Sequence, residues 1–294
     1  KRVRCLRKIA DILALKGDFQ ESVIRYKKVQ DVTIEANNLV ENVIISLNKA
    51  RINLYMENYD EIIDDYKYAE RFLFENGLEN ILVDILAERG LLYIFSDKEE
   101  LFDEVLEKLG EREREGIETA RVWISYLNGI KQIHKGEYND AYGSLISTLQ
   151  EALEIDKLIS VGVLFNLIRI IVEIYKENLN QPFVSEEVNN YLGLISGIVN
   201  ESNFFYLKGL SYLVNLLWQI ISKEGEDHNE IIIQASEYFA KTGIEEFGNF
   251  LLILQYNMAE WLGLEGVKIQ SVFATPRKFE SPQIALMELL EKAV

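Results

Sequence analysis

The segment Lys16-Gly17-Asp18-Phe19 returns as Lys135-Gly136-Glu137-Tyr138, and in a weaker form as Met56-Glu57-Asn58-Tyr59. Aromatic positions 19 and 59 stand 40 residues apart; another step of 40 reaches Glu99, in Ser96-Asp97-Lys98-Glu99, and 39 more reach Tyr138. A fixed period of this length is the signature of a repeat architecture. Each landmark lies between two apolar patterns of helical period. Val3, Leu6, Ile9, Ala10 and Leu13 precede Gly17, and Val23, Tyr26 and Val29 follow it. Leu47, Ala50 and Leu54 pair with Ile62, Tyr66, Ala69 and Leu73, and Leu127, Ile130 and Ile133 with Ala141, Leu145 and Leu149. Three-to-four spacing places each set on one helix face. A glycine between two such helices permits the left-handed conformation that ends the first. The unit is a helical hairpin, repeated.

These units resemble tetratricopeptide repeats, whose pattern combines a small residue in the first helix, a Gly-Asp-Tyr-like turn, a small residue three positions on and a second aromatic. Unit one offers Ala10, Gly17-Asp18-Phe19, Ser22 and Tyr26. Unit two offers Ala50, Tyr59, Tyr66 and Ala69, with Ile62 in place of the small residue. Unit four offers Gly129, Gly136-Glu137-Tyr138 and Ala141, with Leu145 in place of the second aromatic. The family repeat is about 34 residues, and the longer period here is similar to the repeat arms of large bacterial signalling ATPases and transcription regulators. The expected fold is all-α, an α-solenoid of antiparallel helix pairs. The resemblance implies a right-handed superhelix of about thirteen helices.

One continuous domain, 1–294, is expected. Its clearest repeats are 1–75 and 117–155, its degenerate pairs 76–116 and 156–263, and 264–294 is a C-terminal extension. Beyond residue 155 the pattern predicts helices near 158–178, 184–200, 203–223, 227–242, 246–263 and 283–293. Asn180-Gln181-Pro182 breaks the first pair, because proline cannot continue a helix. Residues 264–282 carry the β-branched run Val267 to Val272.

With 31 basic and 48 acidic residues the net charge is −17, which argues against binding nucleic acid or anionic membrane through the chain as a whole. The charge is unevenly spread. Residues 1–56 hold 11 basic and 6 acidic residues; residues 57–115 hold 7 and 19. The acidic stretch reads as a solvated face or as a docking surface for a basic partner. The basic start is as well placed to contact the acidic units as to meet an outside partner. One cysteine excludes an internal disulfide. The apolar stretches Leu158 to Val172 and Phe204 to Ile221 carry Asn166, Arg169, Lys208, Asn215 and Gln219; buried helices suit them better than membrane spans. No secretory leader pattern opens the sequence, so a cytoplasmic setting is expected. The start in mid-pattern, without Met, reads as a segment of something longer.

The sequence has no phosphate-loop, dinucleotide-binding, HExxH or GxSxG pattern. His134 and His228 are 94 residues apart, and no metal or cofactor is expected. The expectation is a non-enzyme. In the tetratricopeptide family the first helices line a concave groove that holds peptides. The resemblance places Arg4, Arg7, Arg51, Tyr55, Trp123, Tyr126 and His134 there. Arg, Trp and Tyr are enriched at binding hot spots, although Trp123 and Tyr126 serve equally well as packing between repeats. The family's carboxylate clamp finds a match in Asn48, whereas Asp11, Asp84 and Glu88 carry the wrong charge for it. The expected function is an interaction scaffold, a sensor or scaffold arm of a larger regulator, holding a protein, a peptide or another domain of the same polypeptide. The alternative is an effector-sensing domain with a pocket among the aromatic-rich helices of 203–263.

Overall fold

A computed structural model describes residues 2–15, 19–55, 59–176, 178–179, 181–201, 205–222, 231–237 and 280–291. Twelve α-helices are bounded within them: α1 (Arg2–Leu15), α2 (Phe19–Glu35), α3 (Leu39–Tyr55), α4 (Tyr59–Glu75), α5 (Glu79–Phe95), α6 (Glu99–Arg114), α7 (Glu118–His134), α8 (Tyr138–Ile155), α9 (Lys157–Ile174), α10 (Pro182–Glu201), α11 (Phe205–Ser222) and α12 (Pro282–Glu291). Residues 231–237 are also helical, and no strand occurs among the described residues. The extended run expected at 267–272, the helix at 246–263 and most of the one at 227–242 lie outside the described residues. The chain groups into two compact units, 1–144 and 145–294.

In the first unit, helices adjacent in sequence pack on one another from α1 to α7, and α1 also meets α3 as α5 meets α7. This is an α-solenoid of antiparallel helix pairs. Its regularity comes from the turns. Asn37, Gly77, Asp97, Gly116 and Gly136 all have positive φ, between 51 and 93°. Each is the residue after which the chain reverses. In every case its N–H bonds back three residues, as Gly136 N–H does to the Ile133 carbonyl at 2.9 Å, and the next N–H bonds back five, as Glu137 N–H does to Gln132 at 2.9 Å. That pair of bonds is the Schellman motif, which satisfies carbonyls a helix end would otherwise leave unpaired. The five left-handed residues are 40, 20, 19 and 20 positions apart. The physical repeat is therefore a single helix plus its turn, and the 40-residue sequence period is two of them.

The apolar faces pack largely as the spacing predicts. Ala10, Val23, Tyr26, Val29, Ile45 and Ile52 form one cluster against Val3 and Leu6, and Ile62, Tyr66, Ala69 and Leu73 are buried further along. Ile9 departs from the expectation and is exposed, because α1 is buried along the side that carries Ala10. Cys5, on the same helix, is exposed as well.

Two first-helix cations, Lys49 and Arg89, are each set between second helices. Lys49 of α3 donates to Gln30 of α2 at 3.1 Å and pairs with Asp65 of α4 at 2.8 Å. Forty residues on, Arg89 of α5 is fully buried, pairs with Glu70 of α4, stands 3.8 Å from Glu104 of α6, and lies over the Tyr93 ring. Burial holds the Asp65 carboxyl above its ordinary range, against the pull of Lys49.

In the second unit α9, α10 and α11 have 18, 20 and 18 residues, and α12 has 10. α9 packs on α10 and α12, and α11 on α10 and α12. The α9 start is capped by Asp156, whose carboxylate accepts the Ile159 N–H at 3.2 Å. Pro182 is the first residue of α10, where a missing N–H costs nothing. Trp218 of α11 is fully buried and donates to Asn189 of α10 at 3.1 Å.

Candidate partner-binding face

The candidate residues of unit one lie in a polar network on α1 and its neighbours. Arg7 donates through Nε to Glu41 at 2.6 Å and through Nη1 to Asp11 at 3.0 Å. The Tyr26 hydroxyl donates to Asp11, which also accepts from Asn48 Nδ2 at 3.3 Å. Burial and then the Asp11 carboxylate push the Tyr26 hydroxyl far above its ordinary range. The bond to Glu41 likewise raises the Arg7 guanidinium. Both stay protonated at any physiological pH. Arg4, with 77% of its side chain exposed, reaches only to 3.8 Å from Glu41. Of the basic start, Arg7 is thus held by Asp11 and Glu41, which belong to residues 1–56 and not to the acidic stretch 57–115.

On α7 the arrangement differs. Tyr126 is 3% exposed and packs against the partly exposed Trp123 with ring centroids 5.7 Å apart. Trp123 Nε1 donates to Asp84 of α5 at 3.2 Å. His134 Nε2 is 2.8 Å from an Asp97 carboxylate oxygen, and its ring meets Phe95 edge-on. The side chains of Arg51 and Tyr55 lie outside the described residues, although both positions fall in α3. The structure therefore joins Arg7 to Asp11, Glu41 and Asn48, and Trp123 to Asp84, in two separate groups. Of the aromatic-rich stretch 203–263, residues 205–222 and 231–237 alone are described.

Sequence reading passed over Glu41, Asp97 and the in-phase partners of the network. The signal was the period itself. Tyr26 and Asn48 are 22 residues apart, and 40 residues later Tyr66 donates to Glu88 at 3.0 Å across the same interval. Ala10 and Ala50 lead in the same step to Gly90, also buried. At the α6–α7 edge, Glu99 pairs with Lys131 at 2.9 Å and Lys135 at 2.8 Å. The Lys135 bond, then that of Lys131, lowers the Glu99 carboxyl to about 2. Lys131 also sits 4.7 Å above the Phe102 ring.

Chemically, these groups are hydrogen-bonding and ion-pairing surfaces. Among the described residues no cluster of His, Cys, Asp or Glu could hold a metal ion, and no helix is long and apolar enough to cross a membrane. No protein-family model matches the chain, and no curated protein is significantly similar to it.

Proposed function

We infer that this chain is a tetratricopeptide-like protein–protein interaction scaffold, a sensor or scaffold arm of a larger cytoplasmic regulator in signalling or transcription. It binds a peptide or partner domain along its first helices. The observation that carries this reading is the repetition of one helix-and-turn unit from residue 37 to residue 136 at steps of 19 or 20 or their double. Stacked units of this kind present the same helix positions side by side and so offer an extended surface. On that surface Arg7 and Asn48 are fixed by internal bonds, and pre-organised polar groups lose less entropy on binding. Trp123 supplies a partly exposed aromatic with one face on Tyr126.

The test is capture of a partner from cell lysate, followed by affinity measurement with the purified partner. The double change Arg4→Glu and Trp123→Ala should weaken that affinity by about 2 kcal/mol or more, as losses at hot spots do. Both side chains reach solvent, so circular dichroism should show unchanged helicity. Undiminished affinity in a folded double variant refutes the first-helix assignment.

A further inference from the structure

A second surface lies on the other helices of the same unit. Between α4 and α6, with α5 as its floor, runs a groove of about 440 Å³ lined by Lys67, Arg71, Phe74, Leu82, Leu86 and Lys108, with Glu70, Glu104, Glu111 and Arg112 along its walls. Residues 57–115 contain seven cations among nineteen acids. Four of the seven line this groove, and a fifth, Arg89, is buried with Glu70 and Glu104, two of the groove's own carboxylates. In the most acidic part of the chain, the positive charge has been gathered into one place.

The groove's carboxylates are already engaged. Glu70 accepts from Lys108 and pairs with Arg89, Glu104 pairs with Lys108 at 3.1 Å, and Glu111 stands 3.7 Å from Arg112. Arg112 is further tied to Glu79 at 3.0 Å and Glu115 at 2.7 Å, and it covers the Phe74 ring at 5.4 Å. Lys67 and Arg71 differ. Both are exposed on α4, and neither makes a hydrogen bond or an ion pair within 4 Å among the described residues, although the charge of Lys67 acts on Glu104 at longer range. They are one helical turn apart, about 6 Å. Phe74, three residues on, is 56% exposed, and Leu78 and Ile81 in the turn and helix that follow are exposed too. Two adjacent exposed cations with no close acid, beside a half-exposed aromatic that Arg112 covers on one side and a leucine floor, complement a ligand that carries carboxylates and an apolar side chain together.

We propose that the α4–α6 groove docks an acidic peptide segment bearing an aromatic or leucine anchor. Its carboxylates pair with Lys67 and Arg71, and its anchor packs on Phe74, Leu82 and Leu86. Carboxylates two residues apart in an extended strand are separated by about 7 Å, close to the spacing of the two cations. The apolar strip beyond Phe74 favours an elongated ligand over a compact one. The proposal rests on the interaction reading above and names a partner class and a different face for it.

Fluorescence anisotropy tests it with the full chain and a labelled peptide Glu-Ser-Glu-Ser-Phe-Ser, whose acids and anchor share one strand face, against the same peptide with Gln in place of its acids. The acidic peptide should bind more tightly than the neutral one. Lys67→Glu with Arg71→Glu should weaken it at least about tenfold, and Phe74→Ala should weaken both peptides. These positions are exposed, so circular dichroism should stay unchanged. Equal affinity for the two peptides, or an acidic-peptide affinity that ignores the charge reversal, overturns the proposal. If that happens while Arg4→Glu and Trp123→Ala still abolish partner capture, the interaction reading stands on the first-helix face. If neither set of changes matters, both readings fall.

Discussion

Two glycines show how differently the same residue type is used. Gly136 has φ of 76°, and a Cβ built there meets nothing within 4 Å. Its requirement is conformational. Gly90 has ordinary helical geometry, but a Cβ there would lie 2.8 Å from Leu127 Cδ1 and 3.5 Å from Val105 Cγ1. Its requirement is steric, since it lets α5 approach α7. Replacing Gly136 by Val should cost about 1–3 kcal/mol through backbone strain alone, because a β-branched residue tolerates positive φ poorly. Chemical denaturation should show that loss without a change in the slope of the transition. An unchanged midpoint would mean the turn relaxes into another form. Asn37 and Asp97 fill the equivalent turn position, as residues whose short polar side chains tolerate this region. That substitution is why the 20-residue step is hard to see in the sequence. Glycine stands out there, but in a chain with 48 acids one more Asp does not.

At the level of helices, buried Lys49 and Arg89 link α3 and α5 to the second helices on either side. Arg89 is fully buried and Glu70 partly so. A buried charge whose partner is removed costs about 3–5 kcal/mol, whereas replacing the whole pair by apolar groups is often neutral. Glu70→Leu alone should therefore be strongly destabilising. Adding Arg89→Met should recover a large part of the loss in a double-mutant thermal denaturation series. A double variant as unstable as Glu70→Leu would show that Arg89 is not the group left uncompensated. The helices themselves were legible because their apolar faces repeat in phase: Tyr26 with Tyr66, and Ala10 with Ala50. The polar interior was not. Arg7 meets Glu41 across 34 residues and Lys108 meets Glu70 across 38, and no local spacing announces which of many acids closes such a pair. For the same reason Lys67 and Arg71 look ordinary in sequence. Their significance is that their neighbours are occupied elsewhere.

Over the whole molecule, the excess of acid opposes compaction. Forty-eight acidic against 31 basic residues leave −17 charges, and like-charge repulsion of this size destabilises a folded chain. The exposed ion pairs that offset it are individually weak, of order 0–1 kcal/mol. Salt screens both effects, and the repulsion summed over many charges outweighs the pairs. Raising ionic strength from about 20 to about 300 mM shortens the screening length from about 20 to about 6 Å, so Tm should rise. The pH dependence has a definite sign too. Glu99, Glu104 and Glu201 are all held below the ordinary value of 4.5, chiefly by hydrogen bonds from Lys135, Lys108 and Lys157 respectively, and Glu99 falls to about 2. A depressed carboxyl contributes stability that is present above its unfolded pKa and is lost as pH falls through its folded one. Between pH 7 and about 5 these three groups therefore lose nothing, while partial neutralisation of the ordinary carboxylates relieves repulsion. Tm should hold or rise over that range and then fall below about pH 4, as the paired carboxyls take up protons. Scanning calorimetry at several salt concentrations and pH values checks both limbs. A Tm that drops on adding salt at pH 7 would mean that the ion pairs, and not the surplus of acids, dominate the electrostatics of this fold.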